Sequence, residues 1–194
     1  MFGDLVQIKE NICFTVGSFN GGGAERHVLS ILSNIDRNKY HPIVVVLSDK
    51  GELAKRYYNL GIPVYSLDHK VYKYRSSINK LTKILKMNKT NIIHIHTVGT
   101  FDISLIAATL AKVRSKIITW HSVYLMNDVR ASNLNQYLKI RLYVFRLKMG
   151  AHLSSFIVAV SKNVKEENCK SLNVSPQKVT VIYNGIEKRK VNTT

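Results

Sequence analysis

The chain has 194 residues, is 45% hydrophobic and carries 29 Lys and Arg against 12 Asp and Glu, a net charge of +17. That length supports one domain with a sizeable core; no apolar run reaches the ~18 residues needed to cross a bilayer, and two cysteines are too few for a disulfide framework. The opening MFGDLVQIKENIC lacks the basic and apolar regions of a secretion signal, so Cys13 and Cys169 read as reduced thiols of a cytoplasmic protein.

In chain order, NICFTV (11–16) is a short apolar, β-branched run and reads as a buried strand. Three consecutive glycines, Gly21 to Gly23, precede AERHVLSILSNI, whose Val28, Leu29, Ile31, Leu32 and Ile35 recur at helical spacing. HPIVVVLS is an unbroken apolar strand, GELAKRYYNLG a short helix closed by Gly61, and IPVYSL the third strand. SSINKLTKILKMNK gathers Ile78, Leu81, Ile84 and Leu85 on one arc and Lys83, Lys86 and Lys89 on the other, a solvated lysine face. Strand NIIHIHT, helix FDISLIAATLAKV, strand KIITW, a loop and the long helix SNLNQYLKIRLYVFRLKMG follow. Strand SFIVAVS, helix KNVKEENCKSL and strand KVTVIYNGI complete the series. Strands alternating with helices predict an α/β fold, a Rossmann-like doubly wound parallel sheet of about seven strands with helices on both faces. The domain is expected over 1–187, with a tail at 188–194.

Such sheets bind ligands beyond the carboxyl ends of their strands. Those ends carry Gly21 to Gly23, Asp49 to Glu52, His96 to Gly99, His121 with Ser122, Ser161 with Lys162, and Asn184 with Gly185. Glycines between a strand and a helix expose main-chain N–H groups at the positive helix end, which attracts anions such as phosphates. Two phosphate fingerprints fail. The dinucleotide pattern G-x-G-x-x-G begins at Gly21 and Gly23 but meets Arg26 in place of its last glycine. The Walker spacing at Gly17 and Gly22 continues with Gly23 and Ala24, where Lys and Ser or Thr are required.

Read in order, GGGAERHV, LGIPVYSL, IIHIHT, ITWHSVY, IVAVSKNVKE and VIYNGIE resemble the N-terminal half of retaining GT-B glycosyltransferases of family 4. The resemblance covers roughly residues 10 to 187. It implies two Rossmann-like domains facing each other across a cleft, the N-terminal one holding the acceptor and the C-terminal one the nucleotide-sugar. It further implies that Gly22 and Gly23 border the donor diphosphate, where bare backbone permits close approach. Glu25 either orders that loop or simply answers the helix dipole. His121 corresponds to a histidine close to the transferred sugar and is the expected catalytic residue, donating to a hydroxyl or supporting charge developing at the ring. The alternative for His121 is a partly buried imidazole bonded to neighbouring backbone. His96, which shares its strand face with His94, would border the acceptor or be structural. Ser122, next to His121, is expected to bind substrate, as are Ser161 and Lys162. Ser161 and Lys162 match a serine-containing turn after the sixth strand, although Ser161 also suits a helix cap; Asn184 fits a structural tight turn. A metal shared by His94, His96 and His121 lacks a further ligand at suitable spacing. The resemblance implies no metal and no cofactor, the nucleotide-sugar being a co-substrate.

The sequence stops where the second domain of the family begins, so the residues expected to stabilise the leaving diphosphate are not in it. Alone, the chain is expected to be an inactive acceptor-side half of an enzyme of bacterial surface polysaccharide synthesis. Its implied partners are a nucleotide-sugar donor, a glycan or lipid-linked acceptor and a C-terminal domain. The rival is a non-catalytic Rossmann-like module that binds a sugar or a partner chain. Charge alone prompts a nucleic-acid binder, but no stacking face of aromatic and basic residues supports it. Segment 132–149, rich in apolar and basic residues, suits an anionic membrane interface at the inner face of the plasma membrane. A wheel places Lys139 and Arg146 opposite Arg141 and Lys148, so a largely packed helix with snorkelling ends is the alternative.

Overall fold

The computed structural model describes residues 9–68, 73–124 and 132–185. The expected tail at 188–194 and the last two residues of VIYNGIE lie outside them. In chain order the elements are β1 (Glu10–Val16), α1 (Gly23–Asn34), β2 (Tyr40–Val46), α2 (Ala54–Tyr58), β3 (Val64–Ser66), α3 (Tyr74–Met87) and β4 (Ile92–Ile95). They continue with α4 (Phe101–Leu110), β5 (Ser115–Trp120), α5 (Leu134–Leu153), β6 (Phe156–Ala159), α6 (Lys162–Leu172) and β7 (Val179–Val181). Every expected strand and helix is present. The second helix, Ala54–Tyr58, is shorter than GELAKRYYNLG, whose two end glycines both have positive φ, Gly51 at +141° and Gly61 at +63°.

The seven strands form one sheet in the order β3-β2-β1-β4-β5-β6-β7, with every pair parallel. The chain winds outward from β1 to β3, then returns to lay β4 on the other side of β1. The order therefore reverses between β1 and β4, the crevice where doubly wound sheets take their ligands.

Strand alternation divides the interior in two. Ile12, Phe14 and Val16 of β1 and Val44 and Val46 of β2 face α1 and α2, joining Val28, Leu29, Leu32 and Tyr57. Cys13, Ile43, Val45, Ile93, Ile95, Ile118 and Trp120 face the other way, into a larger core with α3, α4, α5 and α6. His94 and His96 alternate with Ile93 and Ile95, which turns both imidazoles to the α1 side.

Helix α5 corrects one alternative. Its buried residues are Leu147, Gly150 and Ala151, all in its C-terminal half. The first turns stand free, with Leu134 70% and Leu138 56% exposed. This is not a largely packed helix. Apolar residues on all its sides leave nothing for one packed face to select.

Candidate functional site

The glycine loop is held from behind. Phe19 is fully buried and stacks on Tyr57, ring centroids 4.5 Å apart at 25°. Its N–H donates to Lys50 O at 3.1 Å, and its carbonyl accepts from Leu53 N–H at 2.9 Å. Gly51 packs so closely that a Cβ there would lie 2.1 Å from the Phe19 carbonyl carbon. Beyond Phe19, Gly22 is the N-cap of α1, with no side chain accepting from the first turn, and Gly22 and Gly23 are exposed. A Cβ on Gly23 would meet nothing within 4 Å. Gly22 N–H donates to Asn20 O at 2.8 Å, so the site has a fixed frame and a lip whose open main-chain N–H groups begin at Gly23, the helix start. Arg26 lies across its edge: Nε donates to Gly21 O at 2.9 Å, and Nη2 pairs with Glu52 Oε1 at 2.5 Å. Glu25 is buried, its backbone carbonyl accepting from Tyr57 Oη at 2.6 Å. A Cβ on Gly22 would fall 2.4 Å from Glu25 Oε2, so the carboxylate folds back onto the loop.

Facing this lip is a cluster of four imidazoles. His27, one turn into α1, lies 5.5 Å from His121 and 5.9 Å from His96 by ring centroids. His96 Nδ1 and His121 Nε2 are 3.2 Å apart, and the His94 ring stacks obliquely on His96 at 4.1 Å. His94 Nε2 is bonded to Thr119 Oγ1 at 2.8 Å. Phe14 closes the floor, with centroids 5.6 Å from His94 and 6.0 Å from His96. Burial, reinforced by the neighbouring imidazoles, lowers His121 to about 4 and His94 to about 3, and pushes His96 well down; burial alone lowers His27. At neutral pH the cluster is therefore an uncharged hydrogen-bonding surface. It suits hydroxyl groups, and leaves an anion to the backbone N–H groups of the lip.

The structure brings Gly22, Gly23, Glu25, His96 and His121 to one rim. His96, 2% exposed, lies behind His121 and reaches the rim through it. Ser122 is exposed beside His121; its carbonyl accepts from Asn168 Nδ2 at 2.9 Å, while Asn168 Oδ1 accepts from Tyr124 N–H at 2.8 Å. Ser161 caps α6, its hydroxyl accepting from Val164 N–H at 3.1 Å, and Lys162 is exposed at the start of that helix. Asn184 and Gly185 follow β7 outside any strand or helix.

Three supports were not expected. His27 follows the glycines at the interval that turns it inward, a signal the sequence contains. Asn168, fully buried, clamps the turn after β5 from α6, a contact that spans 44 residues. Arg146 donates to Gly99 O at 3.1 Å and Asp102 Oδ1 at 2.8 Å, tying α5 to the turn after β4. Nothing local announces either long-range contact.

A family model described as Glycosyltransferase Family 4 matches residues 21–190. The chain is 26% identical over 177 residues to the capsular polysaccharide biosynthesis glycosyltransferase CapH of Staphylococcus aureus, covering 89% of this chain and 46% of that one. It is 28% identical over 129 residues to the UDP-Gal:alpha-D-GlcNAc-diphosphoundecaprenol alpha-1,3-galactosyltransferase of Escherichia coli, covering 66% and 32%. Anabaena HepE, crystallised in complex with UDP and glucose, superposes with a TM-score of 0.69 at 18% identity over 91% of this chain and 45% of that one. The chain thus spans about half the length, or less, of the relatives it matches.

Proposed function

Since the chain belongs to Glycosyltransferase Family 4, we propose that it supplies the acceptor-side wall of a retaining transfer of a hexosyl group from a nucleotide-sugar to a glycan or lipid-linked acceptor. The observation that carries this reading is the meeting of α1 and β5: His27 and His121 rings are 5.5 Å apart, so the glycine lip and the candidate catalytic imidazole share one rim. In this reading Gly22 and Gly23 border the donor diphosphate, Gly22 by its bare backbone and Gly23 with its N–H at the helix start. Neutral His121 donates to the sugar, and a second domain outside these residues grips the nucleotide and stabilises its departure. The co-substrate is the nucleotide-sugar, with no resident metal. The relatives act in capsule synthesis and on a diphosphoundecaprenol-linked sugar, which supports a role in bacterial surface polysaccharide synthesis. In this reading transfer requires both walls of the cleft.

The test has two arms. Titrating the chain with UDP-galactose and UDP-glucose should shift the resonances of Gly22, Gly23 and His121. Joining it to the second domain of a family member should give transfer that His121→Ala lowers by about 100-fold or more. Binding that leaves those resonances unmoved overturns the reading, as does transfer indifferent to His121→Ala. Binding with no transfer in any such fusion favours the non-catalytic module.

A specific observation favours membrane contact on the cytoplasmic side. The free turns of α5 expose Leu134, Tyr137, Leu138 and Leu142 beside Lys139 and Arg141, on a chain of net charge +17. An apolar and basic helix end fits an anionic lipid surface. Co-sedimentation with phosphatidylglycerol vesicles should fall on Leu138→Glu with Leu142→Glu, and phosphatidylcholine vesicles should leave the chain in solution.

A further inference from the structure

We infer that His96 is a positioning residue that fixes the tautomer of His121: His96 Nδ1–H donates to His121 Nε2, so that the hydrogen His121 presents to a sugar sits on Nδ1. The inference rests on the proposed function for its use, but not for its geometry.

One hydrogen lies between His96 Nδ1 and His121 Nε2, 3.2 Å apart, and two arrangements of neutral rings supply it. In one, His121 Nε2–H donates, and His96 then carries its own hydrogen on Nε2. In the other, His96 Nδ1–H donates and its Nε2 is bare. His96 Nε2 is buried and has no hydrogen-bond partner. The rings around His96 are those of His94, His27 and Phe14, with centroids 4.1, 5.9 and 6.0 Å from its own. A buried N–H without an acceptor is rarer and costlier than an acceptor without a donor. The second arrangement therefore prevails. His121 Nε2 becomes an acceptor, and its ring hydrogen moves to Nδ1, which has no partner among the described residues.

The cluster is arranged to keep this hydrogen in place. His94 is occupied by Thr119 Oγ1 at 2.8 Å, so it does not compete for His96 Nδ1. Without His96, the imidazole of His121 would return to the Nε2–H form that a free histidine favours, with its hydrogen aimed into the vacated space.

The experiment reads the tautomer directly. Long-range 15N–1H spectra of the ring-labelled 194-residue chain at pH 7.5, assigned with single histidine variants, distinguish protonated from bare ring nitrogens. In the native chain His121 should be Nδ1–H, and in His96→Leu it should revert to predominantly Nε2–H. The reversion should lower UDP-sugar affinity by about tenfold, the value of one hydrogen bond to the ligand. A native spectrum with His121 as Nε2–H overturns the inference even if His96→Leu does not fold, and so does a His121 tautomer unchanged in a folded His96→Leu chain. Should His121 be Nδ1–H while transfer by the fusion is indifferent to His121→Ala, the proposed function fails and the positioning role stands.

Discussion

The two ends of the sheet treat their polar groups in opposite ways. At the amino ends, side chains close on one another. Asn91 Oδ1 accepts from Asn11 N–H at 2.9 Å, Asn11 Nδ2 donates to Lys89 O at 3.0 Å, Glu10 pairs with Arg114 at 2.6 Å, and Ser155 Oγ accepts from Lys116 N–H at 3.1 Å. At the carboxyl ends the bonds are left open. Five buried side-chain polar atoms of the described residues lack a partner; His96 Nε2 and Thr97 Oγ1 belong to this rim, Arg146 Nε flanks it, and Trp120 Nε1 lies in the larger core under the end of β5. Thr90 Oγ1 is the exception at the amino side. Unpaired buried polar groups cost stability. The fold is thus secured at the amino ends, while His96 Nε2 and Thr97 Oγ1 stay unpaired at the carboxyl ends, where the proposed function puts the ligand.

Acid should produce the largest effect, through the imidazoles at the carboxyl ends. Well above pH 6.5 the four clustered histidines are neutral in both folded and unfolded chains and cost nothing. As pH falls below 6.5, the unfolded chain takes up protons that His121 refuses down to about 4 and His94 down to about 3. Stability present at neutral pH is then lost at about 1.4 kcal/mol per pH unit for each well-buried imidazole. Urea unfolding between pH 7.5 and 4.5 should show this decline, and a flat profile would break the comparison. Next in size is the frame of the glycine lip. Gly51→Ala places a Cβ against the Phe19 backbone at φ +141°, so unfolding midpoints should fall by the equivalent of about 3 kcal/mol. Gly23→Ala, into open space, should leave stability near that of the native chain and weaken UDP-sugar binding.

The sequence carried the elements of this fold because its signals are local. Apolar β-branched runs mark β1, β2, β4 and β5, and glycines and helical periodicity mark α1. The carboxyl-end rim was legible for the same reason: once strands and helices alternate, Gly22, Gly23, His96 and His121 must gather there. What lay hidden depends on distance in sequence. The depth of His96 follows from the His27 ring of α1 and the His121 ring after β5 closing over it, and the Asn168 clamp needs α6 beside the turn after β5. Sequence also could not show that α5 stands free in its first turns, because an apolar and basic helix reads the same whether packed or exposed.

The smallest effects separate the two ends most cleanly. Asn91→Ala removes the acceptor for Asn11 N–H at the amino side, leaving a main-chain donor unpaired, and should cost about 1–2 kcal/mol in urea unfolding without changing UDP-sugar affinity. Thr97→Val is its counterpart. The Thr97 hydroxyl is buried beside Gly17 with no partner. An isosteric methyl therefore gives up no bond in the free chain and removes a desolvated oxygen, so stability should stay level or rise by up to about 1 kcal/mol. If the hydroxyl is held open for a ligand, the same variant should bind UDP-sugars less tightly while unfolding no more easily. Were Thr97→Val instead to destabilise the chain as Asn91→Ala does, the hydroxyl would be a structural bond at the carboxyl side, and the contrast between the two ends would fail at that position.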